Sequence, residues 1–208
     1  MEKLDYSLDE NKEFAIIAKK ALVGYLGILT PDGYPRVVPM NFAADGTTIY
    51  IHGEKRGETF EALSRGQRVT FSIDLQFSFI PSYWTSQINA CATTMLYKSA
   101  LIKGTGRLID DPQDSLKGLH LLMDKYQPEG GYVPMEPGER TYKGLYKSTA
   151  VYKIVPDIVT VKVNFRQKKS IEYNRMLVEK LEERAKGPDI ETAREIRKML
   201  GEQAKKDS

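Results

Sequence analysis

The chain has 208 residues, of which 41% are hydrophobic and 28% charged, a composition typical of a folded globular protein. Its single cysteine and two histidines exclude a disulfide framework and a four-ligand structural zinc site. The formal net charge of +3 comes from the C-terminal end, because residues 1–165 carry 19 basic and 19 acidic side chains whereas residues 166–208 carry 12 and 9. These tail charges alternate in sign, which indicates a solvated helical face and argues against a nucleic-acid partner.

No run of the sequence approaches the roughly 18 consecutive apolar residues that a membrane-spanning helix needs. The N-terminal sequence is acidic and polar, unlike a secretory signal. We therefore expect a cytoplasmic protein that has no membrane partner and binds no metal.

The N-terminal part of the chain passes from helical to strand periodicity. Ser7 and Glu10 form a capping-box pattern, which predicts a helix that begins near them. Residues 21–30, 34–43 and 47–53 are then rich in apolar, β-branched and aromatic side chains, and Asp-Gly pairs join them. Asp-Gly supplies the positive φ angles of tight hairpin turns, so these runs predict a three-stranded antiparallel meander.

The rest of the chain is predicted to contain further strands with helices around them. An aperiodic, aromatic-rich segment at 77–94 is long for a connection, and we expect it to form either a lid or a dimer element. Asp189 is expected to cap the second of two tail helices. The other predicted elements are a short helix at 57–65, strands at 68–76, 96–109 and 148–163, a helix from Pro112, a surface loop at 127–143, and tail helices at 171–186 and 190–205.

Strands that follow one another without intervening helices do not build a parallel sheet. The chain therefore predicts a mainly β fold with flanking helices, in which about six antiparallel strands form a small closed or split β-barrel. We expect this barrel domain to cover residues 1–165 and a C-terminal helical extension to cover residues 166–208.

The most informative segment is the strand at 34–42. Its two prolines cannot donate hydrogen bonds to a neighbouring strand, so it should lie at a sheet edge or beside an opening. A flat apolar wall next to a cation and an amide would suit a planar, partly polar ring system. The prolines could equally serve only to protect an edge strand, and the residues alone leave both interpretations open. The side chains concerned are Arg36, Val38, Pro39, Met40 and Asn41.

A second candidate site lies in the loop that follows the strand at 47–53. His52 is near the end of the strand, Lys55 and Arg56 follow it, and Thr59 lies in the first turn of the next predicted helix. Backbone N–H groups at the start of a helix, together with Lys or Arg, form a site for phosphate. The residue order of a Walker A loop is absent. An ordinary solvated loop is the alternative interpretation.

Two weaker features complete the set. Tyr97, Lys98 and Ser99 open the strand at 96–109. Cys91 has no recognisable partner base in the sequence, so we expect a buried structural thiol there.

Taken together, these motifs resemble one family. The Arg-Val-Val-Pro-Met-Asn-Phe strand, the Ile-His-Gly loop that enters a helix ending Glu-Ala-Leu, and the Tyr-Lys-Ser strand start resemble the pyridoxamine 5′-phosphate oxidase-like, FMN-binding split-barrel proteins. Within that group the chain is most similar to the nitroimidazole-resistance (Nim-type) branch. The resemblance covers about residues 8–163. It implies a six-stranded antiparallel split β-barrel that forms a homodimer with FMN sites at the subunit interface.

The resemblance also implies residue roles and a reaction. Residues 36–41 would line the isoalloxazine ring and ribityl chain. The flavin would accept hydride from NAD(P)H and pass electrons to a small acceptor such as a nitroaromatic or a quinone, with His52 as the candidate catalytic residue. The residues expected around the phosphate are His52, Lys55, Arg56 and Thr59, and those expected from the partner subunit are Tyr97, Lys98 and Ser99.

Two departures from the family pattern bear on this interpretation. Many Nim-type proteins carry Lys where Thr59 stands, so Lys55 or Arg56 must neutralise more of the phosphate charge here. True pyridoxamine-phosphate oxidases end in a basic segment with Arg and Trp, whereas the only tryptophan here is Trp84 and the chain ends Gln-Ala-Lys-Lys-Asp-Ser. Vitamin B6 oxidation is therefore not expected. The alternatives are a flavin- or haem-binding protein without robust turnover, a regulatory protein that uses the tail helices, and a relative that uses the deazaflavin F420.

Overall fold

The computed structural model describes residues 9–142 and 147–204. The chain forms two compact units. We call them the sheet unit (Asn11–Ile73 and Ala100–Val161) and the tail unit (Met1–Glu10, Asp74–Ser99 and Lys162–Ser208). The predicted division into residues 1–165 and 166–208 stays a prediction. Within the described ranges, no helix is long and apolar enough to cross a bilayer.

Helices flank a sheet whose strands are close to those expected. The elements follow the order α1 (Glu10–Lys20), β1 (Gly24–Leu29), β2 (Pro35–Met40), β3 (Phe42–Asp45), β4 (Thr48–Glu54), α2 (Glu58–Ser64), β5 (Arg68–Ile80), β6 (Thr94–Leu108), α3 (Pro112–Tyr126), β7 (Thr149–Asn164), α4 (Ile171–Arg184) and α5 (Asp189–Ala204).

The sheet has seven strands in the order β2-β1-β5-β6-β7-β4-β3. Strand β1 pairs antiparallel with β2 and β5, and β4 pairs antiparallel with β3 and β7. The predicted mainly β, antiparallel fold with flanking helices is confirmed. The strand count of six is wrong, and the ladder of hydrogen bonds does not close, because β2 and β3 are its two edges.

The extra strand arises at Asn41, where the predicted single strand at 34–43 changes partner. Met40 is the last residue paired with β1, opposite Gly24, and Phe42 is the first paired with β4, opposite Ile51. The expected meander is therefore two separate hairpins. Both hairpins turn at the predicted Asp-Gly pairs, where Gly33 and Gly46 have φ angles of 86° and 57°.

Apolar side chains from both hairpins fill the core of the sheet unit. The Phe42 and Phe71 rings meet edge to face with centroids 5.4 Å apart, and both residues are fully buried. A Cβ atom on Gly24 would lie 2.3 Å from the Phe71 ring, so only glycine leaves room for that ring. Helix α1 adds Phe14 and Ile17 from one face, three residues apart.

The tail unit is organised around a buried carboxylate. Asp189 begins α5 and is fully buried, and its carboxylate accepts hydrogen bonds from Arg184 at 2.6 and 2.7 Å and from the Ser78 hydroxyl at 2.6 Å. It also accepts one from the backbone N–H of Lys186 at 2.9 Å. The expectation that Asp189 caps α5 is corrected. Its carboxylate bonds Arg184 and Lys186, which precede the helix, and Ser78, which lies near the end of β5.

Other expectations are corrected or lie outside the described residues. The aperiodic segment at 77–94 is partly regular, because β5 continues to Ile80, and Phe77, Ser78 and Ile80 in this part of the strand are buried. Cys91 is exposed and not buried as expected. Ser7, and the predicted ends of the loop at 143 and of the last helix at 205, lie outside the described residues.

Candidate functional site

The edge strand β2 presents the first group of candidate residues. As its two prolines predict, β2 has only one neighbour in the sheet, and Pro39 is exposed while Val38 and Met40 are half-buried. The side chain of Arg36 leaves the strand and donates a hydrogen bond to the carboxylate of Glu58, the first residue of α2. This ion pair fixes the start of α2 beside β2.

Asn41 is exposed, and the chain around it is held in place by the end of α3. The Tyr126 hydroxyl accepts a hydrogen bond from the Phe42 N–H at 3.0 Å and donates one to the Leu22 carbonyl at 2.7 Å. The Lys125 ammonium lies 3.4 Å from the centroid of the Phe42 ring and bonds the Ala18 carbonyl, and burial lowers its pKa to about 8. These contacts fix the point where the strand changes partner.

The second group of candidates lies at the end of β4. His52 is exposed and is paired in register with Val151 of β7, and partial desolvation lowers the pKa of its imidazole below the ordinary value, which favours the neutral ring. The Arg56 guanidinium bonds the Glu54 carboxylate, which holds the pKa of that carboxyl below its usual range. The Lys55 N–H donates to the Ser148 carbonyl at 2.9 Å and ties this loop to the start of β7.

The charges of the two groups combine around the loop that leads into α2. Arg36, Lys55 and Arg56 supply three cations, and Glu54, Glu58 and Glu61 supply three carboxylates, so the charges of this region balance. The Arg36 and Glu58 side chains keep 56% and 45% of their surface in contact with solvent, so a ligand can reach them.

These residues fit a phosphate ester. Each arginine already bonds a planar anion, and a phosphate oxygen can take the place of a carboxylate oxygen with the same donor geometry. Gly57 has a φ angle of 85° and supplies no side-chain cap to α2, and Thr59 stands half-buried in the first turn. An anion at this position would therefore meet cations, a hydroxyl and uncapped backbone donors.

The third group of candidates belongs to the tail unit. Lys98 is only 2% exposed, and its ammonium donates to the Glu195 carboxylate of α5 at 2.6 Å and lies 5.6 Å from the centroid of the Phe165 ring. Tyr97 and Ser99 flank it on β6 and are half-buried. Lys98 is therefore used inside its own chain, and Tyr97 also has a partner there, since the Lys162 ammonium lies 5.7 Å from the centroid of its ring.

The structure adds a feature that the sequence did not reveal. A cavity of about 680 Å³ lies in the sheet unit, between α3 and the start of β7. Lys55 is one of its lining residues, so it adjoins the candidate phosphate loop. No sequence signal could have found it, because its walls are an ordinary amphipathic helix and an ordinary strand more than 20 residues apart.

Comparison with known proteins supports the interpretation of the motifs. The family model described as pyridoxamine 5′-phosphate oxidase matches residues 10–163, which confirms the resemblance drawn from the three motifs. Comparison with curated protein sequences finds no significant match.

Solved structures share the fold at low sequence identity. A candidate 5-nitroimidazole antibiotic resistance protein from Bacteroides thetaiotaomicron is 23% identical with a TM-score of 0.59, over 74% of this chain and 84% of that one. A flavocytochrome from Azotobacter vinelandii is 22% identical with a TM-score of 0.60, over 74% and 66%. An FAD- and haem-binding protein from Mycobacterium smegmatis is 20% identical with a TM-score of 0.60, over 78% and 75%.

Proposed function

Because this chain belongs to the pyridoxamine 5′-phosphate oxidase family, we propose that it is a flavoprotein that binds the FMN moiety of a flavin and works as an NAD(P)H-dependent oxidoreductase on a small nitroaromatic or quinone-like acceptor. The observation that carries the proposal is the meeting of the exposed edge strand β2 with the cationic loop before α2, through the Arg36–Glu58 ion pair. This arrangement offers an apolar wall and a phosphate site side by side.

The chain's own residues divide the work of binding. Arg36, Lys55 and Arg56 would hold the phosphate, with the Thr59 hydroxyl as a further donor. The half-buried Val38 and Met40, the exposed Pro39 and the Asn41 amide would face the ring system. When bound, the flavin supplies the redox chemistry, and the protein orients it and limits the access of water.

His52 is the candidate catalytic residue of the proposal. Its lowered pKa keeps the imidazole neutral at physiological pH, so that the ring can donate one hydrogen bond and accept another. The same neutral imidazole would be competent to bind haem iron, and two of the similar structures are described as a flavocytochrome and as an FAD- and haem-binding protein. Haem binding through His52 is therefore the second candidate function.

We also propose that a second copy of the chain completes the site. In register, Tyr25 stands opposite Pro39, and Leu29 and Val37 point to the same outer face of the β1–β2 hairpin. Tyr25, Leu29 and Val37 are 42%, 53% and 65% exposed, and an apolar surface of this kind favours association. In the proposed homodimer, Tyr97 and Ser99 of the other copy would reach the flavin. Because Cys91 is an exposed thiol, we propose a reducing, cytoplasmic setting.

The first experiment is an absorption spectrum of the purified protein before and after FMN is added and the sample is desalted. We expect a retained flavin spectrum that bleaches anaerobically with NADH or NADPH. A Soret band that is lost in His52→Ala would favour the haem function, and retention of F420 alone would assign the deazaflavin. A protein that retains none of these chromophores would refute the proposal.

A variant tests the phosphate assignment. Lys55→Ala combined with Arg56→Ala should weaken FMN binding at least tenfold, equivalent to about 1.4 kcal/mol, because paired cations on a phosphate are removed. Riboflavin, which has no phosphate, should bind the variant and the unmodified protein equally. The control is Lys168→Ala with Lys169→Ala, an exposed cation pair of the tail unit. An FMN affinity that changes less than twofold would show that the phosphate lies elsewhere.

A further inference from the structure

The cavity beside α3 has the size and walls of a small-molecule site. Its volume of about 680 Å³ lies within the range of about 300–1,000 Å³ that is usual for such sites. Leu116 and Leu119 of α3 and Ala150 and Val151 of β7 are among its apolar lining residues. Val151 is buried in a cluster against which Leu119 packs, so the slot open to a ligand lies beside Leu116. An apolar slot of this kind suits a flat ring.

The rim of the cavity is polar and carries both signs of charge. Lys55 lies among its lining residues with Asp110, Asp111 and Glu136, and both Asp110 and Glu136 are exposed. The Asp111 carboxylate is already used, because it accepts the Asp114 N–H at 2.7 Å and caps α3. The carboxylates of Asp110 and Glu136 are acceptors for hydroxyl groups, and Lys55 is a donor for an anion.

The strand register places this cavity next to the proposed phosphate site. Val151 pairs with His52 and Thr149 pairs with Glu54, and directly paired residues of antiparallel strands point to the same face of a sheet. The cavity therefore begins on the sheet face that carries His52, and it shares Lys55 with the loop before α2. A ligand could hold its phosphate at Lys55 and extend away from the flavin ring into the slot.

We propose that this cavity binds a nucleoside 5′-phosphate, with the purine base against Leu116, the ribose hydroxyls at the rim carboxylates and the phosphate at Lys55. Acidic side chains that accept hydrogen bonds from ribose hydroxyls are a common device of nucleotide sites. Adenosine 5′-phosphate forms one half of both FAD and NAD(P)H. The ligand is therefore the adenylate part of either the flavin cofactor, FAD, or the electron donor, NAD(P)H. That these two molecules are the candidates rests on the proposed function.

Calorimetric titration of the full chain with AMP, adenosine and FMN tests this site. AMP should bind at one per chain, and Leu116→Trp, which fills the slot, should weaken AMP at least tenfold. Lys55→Gln should weaken AMP about tenfold and leave adenosine unchanged, because adenosine has no phosphate. Asp124→Trp, at an exposed position of the same helix outside this cavity, and Lys103→Gln, an exposed lysine of β6, are the matched controls.

The same experiments distinguish whether the adenylate belongs to the flavin cofactor or to the electron donor. If the adenylate belongs to the cofactor, FAD should bind at least tenfold tighter than FMN, and Leu116→Trp should remove that advantage. If it belongs to the electron donor, FAD and FMN should bind equally, and Leu116→Trp should weaken NADH or NADPH on the FMN-loaded protein.

Failure of the inference is distinguishable from failure of the proposed function. FMN binding without AMP binding, or AMP binding that Leu116→Trp does not weaken, would overturn the nucleotide cavity and leave the flavoprotein assignment intact. AMP binding without binding of any flavin would support the cavity and overturn the assignment.

Discussion

The carboxylate of Asp189 is expected to contribute a large, pH-dependent part of the stability of the tail unit. Burial opposes its ionisation, but the hydrogen bonds from Arg184, Ser78 and the Lys186 N–H outweigh this and lower its pKa from the ordinary 3.8 to about 2. At about 1.4 kcal/mol per pKa unit, that difference corresponds to about 2 kcal/mol. Asp189→Asn also leaves the Arg184 guanidinium without its counter-charge, so we expect a total loss of about 2–4 kcal/mol at pH 7.

The sign of the pH dependence follows from the lowered pKa. The contribution is present in full above the unfolded-state pKa and is lost as the pH falls through the folded-state value of about 2. The free energy of unfolding of the unmodified protein should therefore exceed that of Asp189→Asn by a constant amount from pH 7 to about pH 5, and the difference should shrink steadily between about pH 4 and pH 2.

Urea denaturation followed by tryptophan fluorescence measures this difference. Trp84 is the only tryptophan of the chain, and its ring lies 4.6 Å from the Arg184 guanidinium, so the signal reports on this network. The control is Glu182→Gln. It removes the surface ion pair that Glu182 of α4 forms with Arg197 of α5, and it should cost less than about 1 kcal/mol. A difference below about 0.5 kcal/mol for Asp189→Asn, or one that does not shrink in acid, would refute the reasoning.

Three further outcomes are expected. Lys98→Met should destabilise the protein by about 3 kcal/mol in thermal or urea unfolding, because it leaves the Glu195 carboxylate without the ammonium that donates to it at 2.6 Å. An unchanged stability would mean that the ion pair is solvated. Gly118→Ala should also lower stability, by about 1 kcal/mol, since its Cβ would lie 2.8 Å from the Tyr50 ring and overpacking exceeds the gain in helix propensity; a higher melting temperature would contradict this. Cys91 should react fully with a thiol reagent in the folded protein, and protection that is released only by denaturant would place it in an interface.

The sequence predicted the parts of the fold that depend on local geometry. The Asp-Gly pairs at the turns, the prolines of β2 and Pro112 at the start of α3 each act on their own backbone, and each predicted an element that the structure contains. The division at Asn41 could not be predicted, because no local rule tells which neighbour a strand segment pairs with. A strand that leaves one partner for another has the same periodicity as a strand that keeps its partner.

Local sequence patterns also could not predict which side chains contact each other. Lys98 stood in a motif that implied cofactor binding, but its ammonium bonds Glu195, which lies 97 residues further along the chain. Cys91 was expected to be a buried structural thiol because the sequence offered no partner base, but the thiol is exposed. Burial depends on which surfaces meet, and residue type alone does not determine this.

At the candidate phosphate loop, the difference between residue type and side-chain partner affects ligand binding. The sequence predicted Lys55 and Arg56 as cations for a phosphate and Arg36 as a cation beside the ring system, but the structure shows that Arg36 and Arg56 each hold a carboxylate of their own chain. A phosphate must therefore exchange with Glu58 or Glu54, and its gain is the difference between two charge-assisted bonds, not the whole of one. The carboxylates hold the guanidinium groups in position before a ligand arrives, which reduces the entropy lost on binding. Affinity at this site thus depends on how well a ligand replaces these carboxylates, and the number of cations alone does not determine it.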